Sequence, residues 1–124
     1  MAVTTINELI AQRDEIKNKK KQLYEIETSV GTILAKVPTG GIIANAWDMP
    51  NSFEGNKYLV FENVIQPNLR DPELLKAYEC FEPMDIVEAL FQAGEINKIA
   101  GKILEFANYN GKIVSKLHKE VKNS

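Results

Sequence analysis

Apolar residues recur along the chain with two different periods, and the change of period divides it into three parts. Residues 1–23 predict an N-terminal amphipathic helix, residues 24–38 a β-hairpin, and residues 39–124 a core of short helices. A chain of 124 residues fits one domain, so we expect a single domain over 1–124. The predicted fold class is α+β, predominantly α-helical, with one β-hairpin and a compact cluster of short helices.

The N-terminal helix has a clear start and a narrow apolar face. Thr5 and Glu8 have the spacing of a capping box, which predicts that the helix begins there. Arg13 and Lys20 interrupt the apolar stripe, so its own domain covers the helix only in part. The favoured interpretation is packing across the surface. The alternative is pairing with a second chain through the seven-residue spacing of Leu9, Ile16 and Leu23.

The hairpin prediction rests on strict alternation after Tyr24. Apolar or β-favouring residues alternate with glutamates up to a turn near Ser29 to Gly31, and a second β-favouring run ends at Pro38. An isolated hairpin is marginal in water. We therefore expect it to lie against helices or to join a strand of another subunit.

The remaining residues predict successive short helices. Thr39 is the expected N-cap of the first and Ser52 of the second, central helix, which ends near Ile65. Trp47 and the aromatic residues of the central helix are expected in the core. The central helix takes its wide apolar surface from Tyr58, Leu59, Val60, Phe61, Val64 and Ile65.

The stretch "ENVIQPNLRDPELLKAYEC" predicts that one helix stops and another starts. Pro67 disfavours helical geometry before it, while Asp71 is the expected N-cap of a helix whose first residue is Pro72. Leu69 is expected to anchor the corner between them in the core. Beyond the corner, the side chains predicted to point inward are Leu74, Leu75 and Tyr78.

Three more helices are predicted toward the C-terminus. The first follows Pro83 and stops at Gly94, and the second is the most regular amphipathic helix in the chain, running from Ile96 until Asn110-Gly111 breaks it. A last short helix is expected to carry Ile113, Val114, Leu117 and Val121.

Charge and composition narrow the classes of function. The net charge of −2 offers no general attraction to nucleic acid or acidic lipid, and no apolar run approaches a membrane span. The basic run at residues 17–21 is interpreted as a solvated helix end, with a contact to an acidic partner or to nucleic acid as the alternative. The single cysteine, Cys80, cannot form an internal disulfide, so a reducing cytosol is the expected compartment. The N-terminus meets polar and charged residues before any apolar run, so we expect an unprocessed, soluble protein.

No motif in the sequence predicts catalysis, a cofactor site or a metal site. His118 has no second histidine or cysteine at ligand spacing, and Cys80 lies in an apolar setting that does not favour a thiolate. Gly40-Gly41 lacks the lysine and hydroxyl residue of a phosphate-binding loop. We therefore expect a protein that is not an enzyme.

Three segments, taken in order, resemble the XkdN-like family of phage tail assembly chaperones. They are "INELIAQRDEIKNKKK" leading into the hairpin, "ENVIQPNLRDPELLKAYEC", and "EPMDIVEALFQAGEINKIAGKIL". The resemblance implies a mostly helical protein that binds the tape-measure protein and recruits tail tube subunits. It also implies action in the cytoplasm of the bacterial host, absence from the mature virion, and a longer frameshifted form.

Apolar residues of the partly covered first helix and of the short C-terminal helix are the candidate partner-binding residues. They are Leu9, Ile16, Leu23, Ile113, Leu117 and Val121. Their partners are expected to be the tape-measure protein, the tail tube protein or a second copy of the chain, with nucleic acid and membrane not expected. Two other functions stay open: a structural tail component and a small nucleic-acid-binding regulator that uses the lysine run.

Overall fold

The computed structural model describes residues 2–109, 111 and 113–118. In this part of the chain there are seven helices and a three-stranded antiparallel sheet, so the α+β, helix-dominated fold class is confirmed. In chain order the elements are α1 (Ile6–Ala11), α2 (Arg13–Lys20), β1 (Leu23–Thr28), β2 (Gly31–Lys36), α3 (Gly40–Trp47), α4 (Ser52–Asn63), β3 (Val64–Gln66), α5 (Pro72–Ala77), α6 (Asp85–Leu90) and α7 (Ala93–Phe106).

The N-terminal segment forms two short helices where one was expected. The capping box is confirmed, with the Glu8 amide donating to Thr5 Oγ1 at 3.2 Å. Gln12, with φ −90° and ψ 0°, leaves the helical region and separates α1 from α2. No residue of either helix is buried, so packing in a core does not require one continuous helix here.

The sheet contains the predicted hairpin and one strand that the pattern did not predict. β1 and β2 pair from Leu23↔Lys36 to Thr28↔Gly31, and Gly31 takes the positive φ of +124° that the turn requires. The central helix was expected to continue to Ile65, but it ends at Asn63 and β3 pairs with the free edge of β2. Val64 and Ile65 favour strand geometry, and pairing here satisfies backbone groups at the open edge.

The core lies between α4, α6, α7 and the inner face of β2. α7 buries Ile96, Ile99, Ala100 and Ile103, which confirms its predicted amphipathic face. It ends at Phe106, before the predicted break, because Asn108 turns the chain with a left-handed φ of +69°. The other buried apolar residues are Ile33, Ala35, Ile43, Ala46, Leu59, Val60, Phe61, Val64, Leu69, Ile86, Val87 and Phe91.

The predicted helix starts are mostly confirmed. Thr39 caps α3, and Asp71 caps α5 by accepting hydrogen bonds from the amides of Glu73 and Leu74. Ser52 is not the cap of α4, because Asn51 stands one residue earlier and accepts from the Glu54 amide at 2.9 Å. Gly94, the predicted stop, is instead the second residue of α7.

Two aromatic residues expected inside the molecule lie at its surface. Trp47 is 64% exposed, because α3 and α4 approach so closely at Ala46 and Gly55 that no indole fits between them. Tyr78 is half-exposed at the end of α5, where the chain leaves the core. Leu69, by contrast, anchors the corner as predicted and is fully buried.

The prediction of a C-terminal helix is wrong for residues 113–118. Residues 113–118 have no regular secondary structure, and their apolar side chains are at least 85% exposed. A helix this short needs a surface on which to pack, and the segment contacts none that buries it. Val121, also expected in this helix, lies outside the described residues.

Candidate interaction surface

The N-terminal helices present their apolar side chains to solvent. Every residue from 2 to 23 is exposed, and the apolar residues among them retain 41–76% of their accessible surface. Helices of six and eight residues are not stable alone in water. Large exposed apolar side chains on such short helices are a feature typical of surfaces that pack against another molecule. The apolar residues of this surface are Val3, Ile6, Leu9, Ile10, Ile16 and Leu23.

An open groove of about 620 Å³, which we call the α2–α7 groove, lies where α2 approaches the body of the domain. One wall is formed by α2 and the other by the end of α7, while the sheet and the start of α3 lie between them. The lining residues are Ile16, Lys19, Lys20, Tyr24, Val37, Pro38, Thr39, Gly40, Glu105, Phe106, Ala107 and Asn108.

Two stacked aromatic rings form part of the groove. The rings of Tyr24 in β1 and Phe106 in α7 are nearly parallel, with centroids 4.1 Å apart and an angle of 11° between the planes. This stack joins the start of β1 to the end of α7, and both rings are half-buried. The apolar part of the groove is therefore formed before any partner binds.

Charge is distributed unevenly along the groove. Lys19 and Lys20 lie in the last turn of α2, and neither ammonium group has an ion-pair partner in the described part of the chain. Glu105 on the opposite wall is paired with Lys102 at 3.2 Å. The uncompensated charge on the α2 side is therefore positive.

A second contact holds α7 beside the hairpin at the opposite end of β1. Ser29 donates two hydrogen bonds to Glu95, from its amide at 2.8 Å and from Oγ at 2.5 Å. These hydrogen bonds, followed by the smaller effect of Lys98, keep the pKa of Glu95 below its ordinary value of 4.5. With the Tyr24–Phe106 stack, this contact sets the position of α7, and hence the far wall of the groove, relative to β1.

Comparison with protein families decides the class to which the chain belongs. The model of the phage XkdN-like tail assembly chaperone family matches residues 7–122. The chain is a member of this family. No curated protein and no solved structure matches the chain. Membership implies that the partners of this tail assembly chaperone are tail proteins, which it meets in the host cell during assembly.

The predicted partner-binding residues of this chaperone lie in different regions of the structure. Leu9, Ile16 and Leu23 are exposed, but Ile16 alone among them lines the α2–α7 groove. Ile113 and Leu117 are exposed on the segment that follows α7, and Val121 lies outside the described residues. The last residue that lines the groove, Asn108, directly follows the C-cap of α7, and no described residue after it lines the groove.

Sequence reasoning missed four residues of the groove. Lys19 and Lys20 were seen only as part of a basic run, although the structure places them beside an apolar surface. Tyr24 and Phe106 are 82 positions apart in numbering, so nothing in the local pattern predicts their stacking. The alternation of β1 does predict that Tyr24 and Ile26 share a face, and this was the available signal.

The described residues contain no group of three or more histidine, cysteine, aspartate or glutamate residues placed to hold a metal ion. Among them, no helix is both long enough and apolar enough to cross a membrane. Cys80 is half-buried, and His118 is exposed on the segment after α7. The family suggests a non-enzymatic role.

Proposed function

We propose that this tail assembly chaperone binds the tape-measure protein, keeps it soluble, and helps to recruit tail tube subunits during tail morphogenesis. It acts in the cytoplasm of the bacterial host and is absent from the mature virion. Family membership supports the general role. The observation that carries the binding role is the unbroken exposure of residues 2–23, which include two helices with apolar faces.

These helices are stabilised by packing that the domain does not supply. Two helices of this length gain too few internal hydrogen bonds to offset the entropy of ordering their backbones. Cover from a partner removes their apolar side chains from water at roughly 25 cal/mol per Å² buried. A partner with its own exposed apolar face, such as a long amphipathic helix, gains in the same way, and its self-aggregation is suppressed.

The partner-binding surface is proposed to include residues from both ends of the chain. Leu9, Ile16 and Leu23 contribute from the N-terminal segment, and Ile113, Leu117 and Val121 contribute from the C-terminal one. A second copy of the chain competes for the N-terminal residues if the free chaperone self-associates. Sedimentation of the chaperone with and without its client distinguishes the two occupants.

Co-expression with the tape-measure protein encoded by the same phage tests the binding role. The wild-type chaperone is expected to keep the tape-measure protein in the soluble fraction and to co-purify with it. A variant with Leu9, Ile16 and Leu23 changed to serine is expected to lose both effects and to remain folded, because none of these side chains is buried. Undiminished binding by that folded variant would exclude the N-terminal helices from the proposed partner-binding surface.

The matched control removes exposed apolar side chains elsewhere. Val30 in the hairpin turn, Tyr78 and Phe81 are exposed and lie outside both terminal segments. Their replacement by serine is expected to leave co-purification unchanged. Equal loss of co-purification in both triple variants would show nonspecific hydrophobic association and not binding at a defined surface.

The content of purified phage particles tests the chaperone role against a structural one. Quantitative mass spectrometry of finished tails is expected to detect the tape-measure and tube proteins without this chain. Stoichiometric amounts of the chain in particles would make it a tail component and contradict the proposal.

A further inference from the structure

Part of the apolar surface of the α2–α7 groove is formed by two stacked rings that the fold itself holds in place. The stacked rings of Tyr24 and Phe106 lie beside Val37, with Ile16 above them on α2. The volume of about 620 Å³ is in the range of roughly 300–1,000 Å³ that is typical of binding pockets, and the groove is open to solvent along its length. Several apolar side chains of one partner can therefore enter it together.

The charges around this groove favour a partner that carries negatively charged side chains. Lys19 and Lys20 stand on its α2 side with no carboxylate paired to them in the described residues. The partial positive charge at the start of α3 is opposed by the partial negative charges at the ends of α2 and α7, so the positive charge of the groove comes from the two lysines. Since Glu105 opposite is paired with Lys102, a partner meets a net positive rim beside an apolar floor.

The walls of the groove favour a helical occupant over an extended one. An extended peptide needs a row of free strand amides and carbonyls, but Tyr24 of β1 is the only strand residue among the described lining residues, and the walls are helix α2 and the end of helix α7. A helix satisfies its own backbone and presents apolar side chains at i, i+3, i+4 and i+7, which suits a groove lined by side chains. A helix bound in the groove would also pack against α2, which the rest of the domain leaves exposed.

We infer that the α2–α7 groove binds an amphipathic helix of the tape-measure protein whose apolar stripe is flanked by carboxylates facing Lys19 and Lys20. This inference rests on the proposed function and specifies the segment chemistry that the chaperone recognises. Apolar contacts with Ile16, Tyr24 and Phe106 hold the helix, and the two lysines determine its orientation and select against basic helices.

Overlapping synthetic peptides that span the tape-measure protein are the probe. The peptides that bind are expected to be acidic amphipathic helices, and their affinity is expected to fall as salt concentration rises. The double variant Lys19→Glu, Lys20→Glu is expected to bind them about tenfold more weakly, because two attractions become repulsions. Exchanging the peptide carboxylates for lysine is expected to restore binding to that variant.

The same basic run offers a control with an identical change in net charge. Lys17 and Lys21 neighbour the groove in sequence but do not line it. Lys17→Glu, Lys21→Glu is expected to weaken binding by less than about threefold, through long-range attraction alone. Circular dichroism verifies that both double variants are folded, since every substituted side chain is exposed.

The outcomes of these experiments distinguish a wrong groove inference from a wrong proposed function. If neither peptides nor the full tape-measure protein bind the wild-type chaperone, the proposed function itself is wrong. If binding persists but both double variants weaken it equally, or if the bound peptides are basic, the groove inference is overturned while the function stands. The groove inference would also be overturned if a DNA duplex bound the chaperone as tightly as the peptides do and only the Lys19, Lys20 double variant lost this binding. That result would identify a polyanion site.

Discussion

Glu95, in the first turn of α7, accepts two hydrogen bonds from Ser29 in the hairpin turn, across 66 positions of sequence. One donor is a backbone amide at the end of β1, at 2.8 Å, and the other is the Ser29 hydroxyl, at 2.5 Å. The carboxylate therefore holds the turn of the hairpin against α7. Together with the Tyr24–Phe106 stack, it attaches β1 to the helix at both ends.

This contact gives the fold a defined dependence on pH. The hydrogen bonds from Ser29 lower the pKa of Glu95 in the folded protein below 4.5, its ordinary value, so the ionised form is favoured by folding. The contribution to stability is complete above about pH 4.5 and is lost as pH falls through the lower folded pKa. Glu95→Gln does not titrate, so its stability deficit relative to wild type is expected to shrink on acidification.

Urea unfolding of both proteins at a series of pH values measures that deficit. Ser29→Ala is the matched variant, because it removes one donor and leaves the backbone hydrogen bond. A deficit that stays constant between about pH 7 and pH 3 would show that Glu95 is not held in its ionised form.

The crossing of α3 and α4 depends on the absence of a side chain at Gly55. A Cβ at this position would lie 2.5 Å from the carbonyl oxygen of Ala46. Gly55→Ala is therefore expected to force the helices apart and to destabilise the protein by about 2 kcal/mol, although alanine is the better helix former.

Gly101 in α7 is the control for this substitution. It is exposed, and a Cβ there would meet nothing within 4 Å, so Gly101→Ala is expected to stabilise the protein by about 0.5–1 kcal/mol. Thermal or urea unfolding measures both variants. Stabilisation by Gly55→Ala as well would mean that α3 and α4 do not approach this closely.

Lys57 links α4 to α6 with a nearly buried ammonium group. Its Nζ lies 2.5 Å from Glu88 and 2.9 Å from Glu54. Burial lowers its pKa, but the hydrogen bonds and charges of the two carboxylates outweigh that effect, and the pKa is raised above 10.5. Lys57→Met keeps the packing of the side-chain stem and is expected to cost about 1 kcal/mol, because both carboxylates still reach water.

An exposed ion pair provides the comparison. Lys102 pairs with Glu105 at 3.2 Å but remains largely in solvent, so Lys102→Met is expected to change stability by less than about 0.5 kcal/mol. Equal free energies of unfolding for the two variants would show that the α4–α6 pair contributes no more than a surface one.

The single tryptophan reports on the start of the C-terminal segment. Trp47 meets Tyr109 edge to face, with ring centroids 5.3 Å apart. Tyr109→Ala is expected to expose the indole further and to shift its fluorescence emission to longer wavelength, with the free energy of unfolding changed by less than about 1 kcal/mol. An unchanged spectrum in the folded variant would place Tyr109 away from Trp47 in solution.

Local chemistry was enough for elements whose ends are set by neighbouring residues. The capping box at Thr5, the caps at Thr39 and Asp71, the hairpin turn and the apolar face of α7 were all predicted from spacing alone. Each depends on interactions between residues a few positions apart, such as a hydroxyl and an amide three residues on, or side chains on one face of a helix.

Tertiary structure decided the rest because those outcomes depend on which surfaces meet. β3 forms where a helix was expected because the free edge of β2 lies beside Val64, and Trp47 is exposed because Ala46 meets Gly55. The α2–α7 groove exists because Tyr24 stacks on Phe106 and Ser29 binds Glu95, contacts between residues far apart in the chain. The pattern of residues therefore determined the hairpin, most helix starts and the family, while long-range packing determined β3 and the groove.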